Sequence, residues 1–178
     1  MKRVVQIVLL VAIIGLGFWL WTVLFPSPEK VVHARLDALA KAISFKSASG
    51  NLANAYNAQK AAEFFTTDVD VEVNLAGFEP ITLHGRDEVL QIAMAARARL
   101  TSLKVEFLDM NITFSPDGNT AKVNLTGKAT VPSERDISAQ EFNFQLKKVE
   151  GKWLIYHVET VRTLSSLAAD VRRRMGQF

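Results

Sequence analysis

The chain has 178 residues, the size of one domain, and 49% of them are apolar. It carries 21 Lys+Arg, 18 Asp+Glu and no cysteine, which excludes disulfides and a cysteine-borne lipid. Setting aside Lys2 and Arg3 leaves one more base than acid, so no basic stripe remains for phosphates and nucleic acid is not an expected partner.

The run Val4–Phe25 has no charge and a single amide, Gln6. As a helix it measures about 33 Å at ~1.5 Å per residue, enough for a hydrocarbon core of about 30 Å. Trp19 and Trp21 near its far end suit an interfacial aromatic belt. The rival reading is a cleaved signal peptide, whose apolar core is about 7–15 residues and ends in small residues. This run is longer and ends in Trp21-Thr22-Val23-Leu24-Phe25-Pro26, so an uncleaved anchor is the expectation. Lys2 and Arg3 before the span put the N-terminus in the cytoplasm. Residues 1–26 then form a short stub and one transmembrane anchor in the cell inner membrane. Residues 27–178 form an extracytoplasmic domain, periplasmic in a bacterium.

Ser27-Pro28-Glu29 reads as a helix start, with Ser as N-cap, Pro at the first position and an acid in the first turn. Val32, Leu36, Leu39 and Ile43 fall on one face, predicting a helix over 28–46 directly after the span. Ser47-Ala48-Ser49-Gly50 breaks it, and a second helix is predicted over 51–65. The period then changes to two: Val69, Val71, Val73 and Leu75 alternate with Asp68, Asp70, Glu72 and Asn74, as in a half-buried strand with the acids outward. A short strand over 80–84 pairs with it across Gly77. Gly85-Arg86-Asp87-Glu88 opens a third helix to residue 101, with Val89, Ala93, Ala96 and Leu100 inward and Arg97 and Arg99 in its last turn.

Antiparallel strands are predicted over 103–114, 120–131, 138–149 and 153–163. Their links are the turn Ser115–Asn119, the polar loop Pro132–Asp136 and a tight hairpin at Glu150-Gly151. Residues 165–175 suit a terminal amphipathic helix that ends in Arg172-Arg173-Arg174. Those arginines complement the helix's last turn or, on the other reading, anionic lipid headgroups.

Helices followed by a β meander give an α+β fold: a curved antiparallel sheet wrapped around about three helices. Three segments resemble the nuclear-transport-factor-2-like superfamily, the cystatin-like cone fold of ketosteroid isomerase, scytalone dehydratase and the SnoaL-like polyketide cyclases. They are Phe64-Phe65-Thr66-Thr67-Asp68-Val69, His84-Gly85-Arg86-Asp87-Glu88-Val89 and Glu150-Gly151-Lys152-Trp153-Leu154-Ile155-Tyr156-His157. The resemblance covers residues 50–164 and implies a pocket lined by the concave sheet face. It also implies that self-association through the sheet, as a homodimer, is available.

No metal spacing links His33, His84 and His157, and no phosphate loop or nucleophile motif is present. No metal or cofactor is therefore expected. Ser27-Pro28-Glu29-Lys30 fits S-x-x-K but reads as a helix cap. Asn111-Ile112-Thr113 and Asn124-Leu125-Thr126 fit the glycosylation pattern but fall inside strands. The candidates for chemistry lie on the last strand. Strict alternation puts Trp153, Ile155, His157, Glu159 and Val161 on one face, which Trp153 and Ile155 mark as the core side. His157 and Glu159 would then point into the pocket as an acid–base pair, with Tyr56 of the second helix as a third member. The alternative is that they are solvated rim residues.

Three readings of function follow. One is a non-catalytic module that binds a protein or a small apolar ligand at the bilayer, possible partners being an envelope protein or a second copy. Such a module resembles the inner-membrane assembly factor of type IV secretion systems, from which this chain departs by its very short cytoplasmic stub. The alternative is a small lyase, isomerase or hydrolase using His157, Glu159 and Tyr56 on an apolar molecule. Lipid handling by a pocket facing the bilayer is the third.

Overall fold

The computed structural model describes residues 27–46, 50–75, 79–131 and 139–161. The span expected at Val4–Phe25, the loop expected at Pro132–Asp136 and the helix expected at 165–175 lie outside them. Among the described residues no helix is long and apolar enough to cross a membrane. Contacts divide the chain into two units between Ala34 and Arg35, within the first helix. In the first unit Ser27 caps that helix: its hydroxyl accepts the Lys30 N–H at 3.4 Å. The S-x-x-K serine is thus a cap. The following account concerns the second unit.

Three helices and seven strands are present among the described residues. In chain order they are α1 (Pro28–Ile43), β1 (Phe45–Lys46), α2 (Asn51–Ala62), β2 (Phe65–Val73), β3 (Ile81–His84), α3 (Arg86–Arg99), β4 (Ser102–Phe114), β5 (Thr120–Thr130), β6 (Gln140–Val149) and β7 (Lys152–Thr160). The class is α+β, as expected. Helix α1 stops at Ile43, three residues short of the expected 46, because Phe45 and Lys46 leave it to pair with Leu103 and Ser102 at the sheet edge. Helix α2 ends at Ala62 because the chain is already extended at Phe65.

The strands form one sheet in the order β1-β4-β5-β6-β7-β2-β3. The β4–β7 meander is antiparallel, and β3 pairs antiparallel with β2 as predicted. The expectation of an antiparallel sheet fails at one seam, where β2 runs parallel to β7. No hairpin joins these two strands, which are separated by β3, α3 and the β4–β6 meander, so nothing local sets their relative direction. The hairpins follow their turn chemistry. Glu150 (φ 50°) and Gly151 (φ 78°) both take the left-handed conformation that a two-residue type I′ turn requires. In the β4–β5 turn the Asp117 carboxylate accepts the Asn119 N–H at 3.2 Å.

Register identifies the inner face. One row runs Ile112, Val123, Phe144, Val158, Val71 and Leu83; the next runs Phe114, Ala121, Leu146, Ile155 and Phe65. Against these rows the core gathers Leu36 and Leu39 of α1 and Ala58, Ala61 and Ala62 of α2. Each large apolar side chain buried this way contributes about 1.5–3 kcal/mol relative to exposure. Besides the register shift on β2 between Phe65 and Asp70, two bulges interrupt the alternation. One lies on β4 between Leu108 and Asn111, at Asp109 (φ 51°). The other lies on β7, where Ile155 and His157 face the consecutive residues Leu146 and Gln145 and Tyr156 is the extra residue.

Helix α3 is tied to β2 at its first turn. Gly85 donates its N–H to the Val69 carbonyl at 2.7 Å, and the Arg86 guanidinium donates twice to the Phe65 carbonyl, at 2.9 and 2.6 Å. The Glu88 carboxylate accepts the N–H of His84, the last residue of β3, at 2.7 Å, which ties the strand end to the first turn of the helix. At the other end Arg97, read from sequence only as a cation for the last turn, is buried at 7% exposure. It donates to the Ala42 carbonyl in the last turn of α1 at 2.6 Å and to Ala93 at 3.3 Å, and its guanidinium lies 5.1 Å from the Phe45 ring centroid. Burial lowers its pKa. The cation nonetheless sits where the C-terminal dipole of α1 favours it.

Candidate functional site

The inner sheet face, the end of α1 and the start of α3 line a half-open cavity of about 250 Å³. Its wall includes Leu39, Val71, Leu83, Val89, Phe107 and Phe142. The side-chain amide in the wall, that of Gln140, already donates to the carbonyls of Glu141 and Val161 at 3.2 and 3.1 Å. Lys128 also touches the cavity, but its register partner is Glu106 on the opposite face, so its ammonium belongs outside. The site is therefore an apolar container. It exceeds the ~150 Å³ of a dry cavity that accepts benzene and falls below the ~300 Å³ lower bound of most drug-sized pockets. A ligand of one or two rings, or a short alkyl chain, matches it.

Gly127 shapes this wall. It is paired with Phe107 and Gln140, and the Phe142 ring lies across it so closely that a Cβ there would stand 2.7 Å from the ring edge. Sequence reasoning missed Gly127. The available signal was an isolated glycine inside an alternating strand, which marks close approach of a neighbour.

The residues expected to carry chemistry are elsewhere. His157 pairs with Gln145 and Asp70, and Glu159 pairs with Asn143 and Glu72, all on the outer face. The expectation that His157 and Glu159 share the core side with Trp153 and Ile155 is thus corrected. The extra residue at Tyr156 inverts the parity of the strand, so Val158 and not His157 enters the cavity wall. His157 and Glu159 do meet, with Nε2 3.8 Å from the carboxylate, and their side chains are 24% and 43% exposed. Tyr56 is 59% exposed on α2, with the Lys60 ammonium 4.6 Å from its ring centroid, and does not line the cavity. The three candidates therefore do not converge on one cavity.

The outer face carries polar pairs instead. Tyr156 donates to Gln145 at 2.7 Å, Lys147 meets Asp68 at 3.1 Å, and the His84 ring meets the Asp70 carboxylate at 2.8 Å. His84 is thus an ion-pair partner. The hydrogen bond to Asp70 raises its pKa above the usual 6.5, with Glu88 and Glu72 adding smaller contributions of the same sign. A histidine raised in the folded state contributes stability that is complete below 6.5 and lost as pH rises through the folded value. An NMR titration is expected to put the His84 midpoint above 6.5 and to bring it back toward 6.5 in Asp70→Asn. Identical midpoints in the two proteins would rule out the pair. Among the described residues no group of three or more His, Asp or Glu is placed to hold a metal ion.

Comparison with known proteins was informative at the level of family and fold. No curated protein matches the chain. Among solved structures, a domain of unknown function with a cystatin-like fold from Nostoc punctiforme superposes with TM-score 0.61 at 15% identity, covering 86% of this chain and 88% of the other. A candidate scytalone dehydratase from Novosphingobium aromaticivorans gives 0.57 at 16% identity over 76% and 83% of the two chains. An NTF2-like protein of unknown function from Pseudomonas putida gives 0.58 at 8% identity over 78% and 89%. At such identities the likeness is one of fold. The model of the SnoaL-like domain matches residues 34–159. That match spans all seven strands and the cavity they enclose, and by it the chain belongs to the SnoaL-like domain family, with the cystatin-like, NTF2-like α+β fold.

Proposed function

We propose that this chain is a membrane-anchored SnoaL-like domain that binds a small apolar ligand without transforming it. The observation that carries the reading is the cavity wall: apart from Lys128 and Gln140 its side chains are aliphatic or aromatic, and the Gln140 NH2 already donates to backbone carbonyls. A catalytic reading needs an acid or base at the ligand, and His157 and Glu159 stand on the other side of the sheet. The anchor is Val4–Phe25, which would hold the domain at the extracytoplasmic surface of the inner membrane. Its sequence supports this, and so does the cap at Ser27, which starts α1 directly behind it. There the domain would deliver its ligand to an envelope partner or a second copy.

The test uses the full chain in lipid nanodiscs. A ligand that binds only the folded state at a hundred times its Kd adds about 2.7 kcal/mol to unfolding. Naphthalene-sized hydrocarbons are expected to raise the unfolding temperature of the wild type and to leave Ala129→Trp unmoved. Ala129 lines the cavity opposite Val105, and an indole there fills it. An equal shift in both proteins, or none in either, would remove the cavity as the binding site. In cells, the chain should resist alkaline extraction from membranes at its full length; a shortened, released chain would establish the cleaved signal peptide.

A further inference from the structure

Among the described residues, one neutral polar side chain lines the cavity, and its hydrogen bonding is one-sided. Gln140 opens β6 and lies on the inner face, in the row with Gly127 and Phe107. Its Nε2 donates to the Glu141 carbonyl at 3.2 Å and to the Val161 carbonyl at 3.1 Å. A side-chain amide has two N–H donors, so both are spent. The same contacts fix the orientation of the amide, because the reverse would set Oε1 against two carbonyl oxygens. Among the described residues no donor is bonded to Oε1. The amide that touches the cavity can therefore accept a hydrogen bond and has none left to give.

The neighbouring wall supplies no substitute donor. Lys128 is its other polar residue, and the register that pairs Lys128 with Glu106 carries the ammonium to the outer face. Around the amide stand aromatic rings. The Phe142 ring lies across Gly127, the strand neighbour of Gln140. Phe107 and Phe142 each meet Phe144 edge-on, with centroids 5.5 and 6.1 Å apart. A ligand ring beside the amide would find aromatic partners in these same edge-to-face arrangements. The polar group on that ring meets a stricter condition. A ketone or ether oxygen at the amide would face Oε1 lone pair to lone pair, and it would give up water without receiving a donor. An O–H or N–H would give up water and regain an acceptor.

We propose that Gln140 determines the specificity of the cavity: its Oε1 accepts a hydrogen bond from the ligand, and the cavity selects a one- or two-ring molecule with a single O–H or N–H over hydrocarbons, ethers and ketones of the same shape. The inference rests on the cavity being the binding site, and it narrows the apolar ligand to one that donates. The backbone carbonyls of Glu141 and Val161 contribute by holding the amide nitrogen, which keeps the oxygen as the atom available to the ligand.

Indole, indene and benzofuran test this, because they share a shape and differ at one ring position: an N–H donor, a CH2 and an ether oxygen. Their affinities are measured on the full chain in nanodiscs, with uptake by empty nanodiscs subtracted. Gln140→Met removes the acceptor and keeps the length of the side chain. It is expected to weaken indole by about 2- to 10-fold relative to indene, the range of one net hydrogen bond. Benzofuran should not weaken against indene in the same variant. The NMR signal of the Gln140 side-chain carbonyl carbon gives a second readout in the wild type, independent of whether the variant folds. Indole should move it further than indene does, as a carbonyl that gains a donor. An unchanged indole-to-indene ratio in Gln140→Met, or equal movement of the carbonyl signal by both ligands, would overturn the role of Gln140 and leave the cavity as the binding site. Binding by none of the three would overturn the cavity reading and this inference with it.

Discussion

Replacing Gly127 by alanine is expected to destabilise the domain by about 1–3 kcal/mol and to weaken apolar-ligand binding in the same step. The added methyl would stand 2.7 Å from one atom of the Phe142 ring and 3.0 Å from another, closer than carbon atoms approach. Both residues face the cavity, so the ring has one free direction, into the space the ligand would fill. Overpacking and ligand exclusion therefore have a common cause, and Phe142→Leu in the Gly127→Ala background should relieve both. Urea unfolding gives the first quantity as a midpoint shift at constant slope. The ligand-induced rise in unfolding temperature gives the second. A Gly127→Ala protein with wild-type stability would show that the ring does not rest on this glycine.

Leu146→Ala is expected to cost more, about 2–5 kcal/mol, without changing ligand affinity. Leu146 is fully buried, in the inner row between Ala121 and Ile155, and is not part of the cavity wall. Its removal opens a new void in close-packed surroundings, and the penalty combines lost transfer free energy with the unfilled space. The pair of variants separates two regions of one inner face: a filled half that holds the fold together and an unfilled half that holds a ligand. Affinity measured well below the unfolding temperature decides this. A Leu146→Ala protein that stays folded and binds more weakly would mean that the two halves are coupled.

Most of the described elements were legible in the sequence, because they follow from local periodicity and turn chemistry; β1, read as the end of the first helix, was not. The valines at 69, 71 and 73 marked β2, with Asp68 and Asp70 correctly outward. Glu150-Gly151 predicted its hairpin because the backbone of that turn admits few residues. Three features were decided only by the tertiary structure. The parallel seam of β2 with β7 depends on how the chain returns, through β3, α3 and the meander, to a strand with which it has no local link. The buried guanidinium of Arg97 depends on the end of α1 arriving beside α3. The direction of His157 and Glu159 depends on one extra residue at Tyr156. Side-chain direction along a strand has period two, so a single bulge reverses everything after it, and no alternating pattern in the sequence records the bulge. That residue separates a chain read as carrying an acid–base pair inside its cavity from one whose cavity is apolar and whose polar row lies outside.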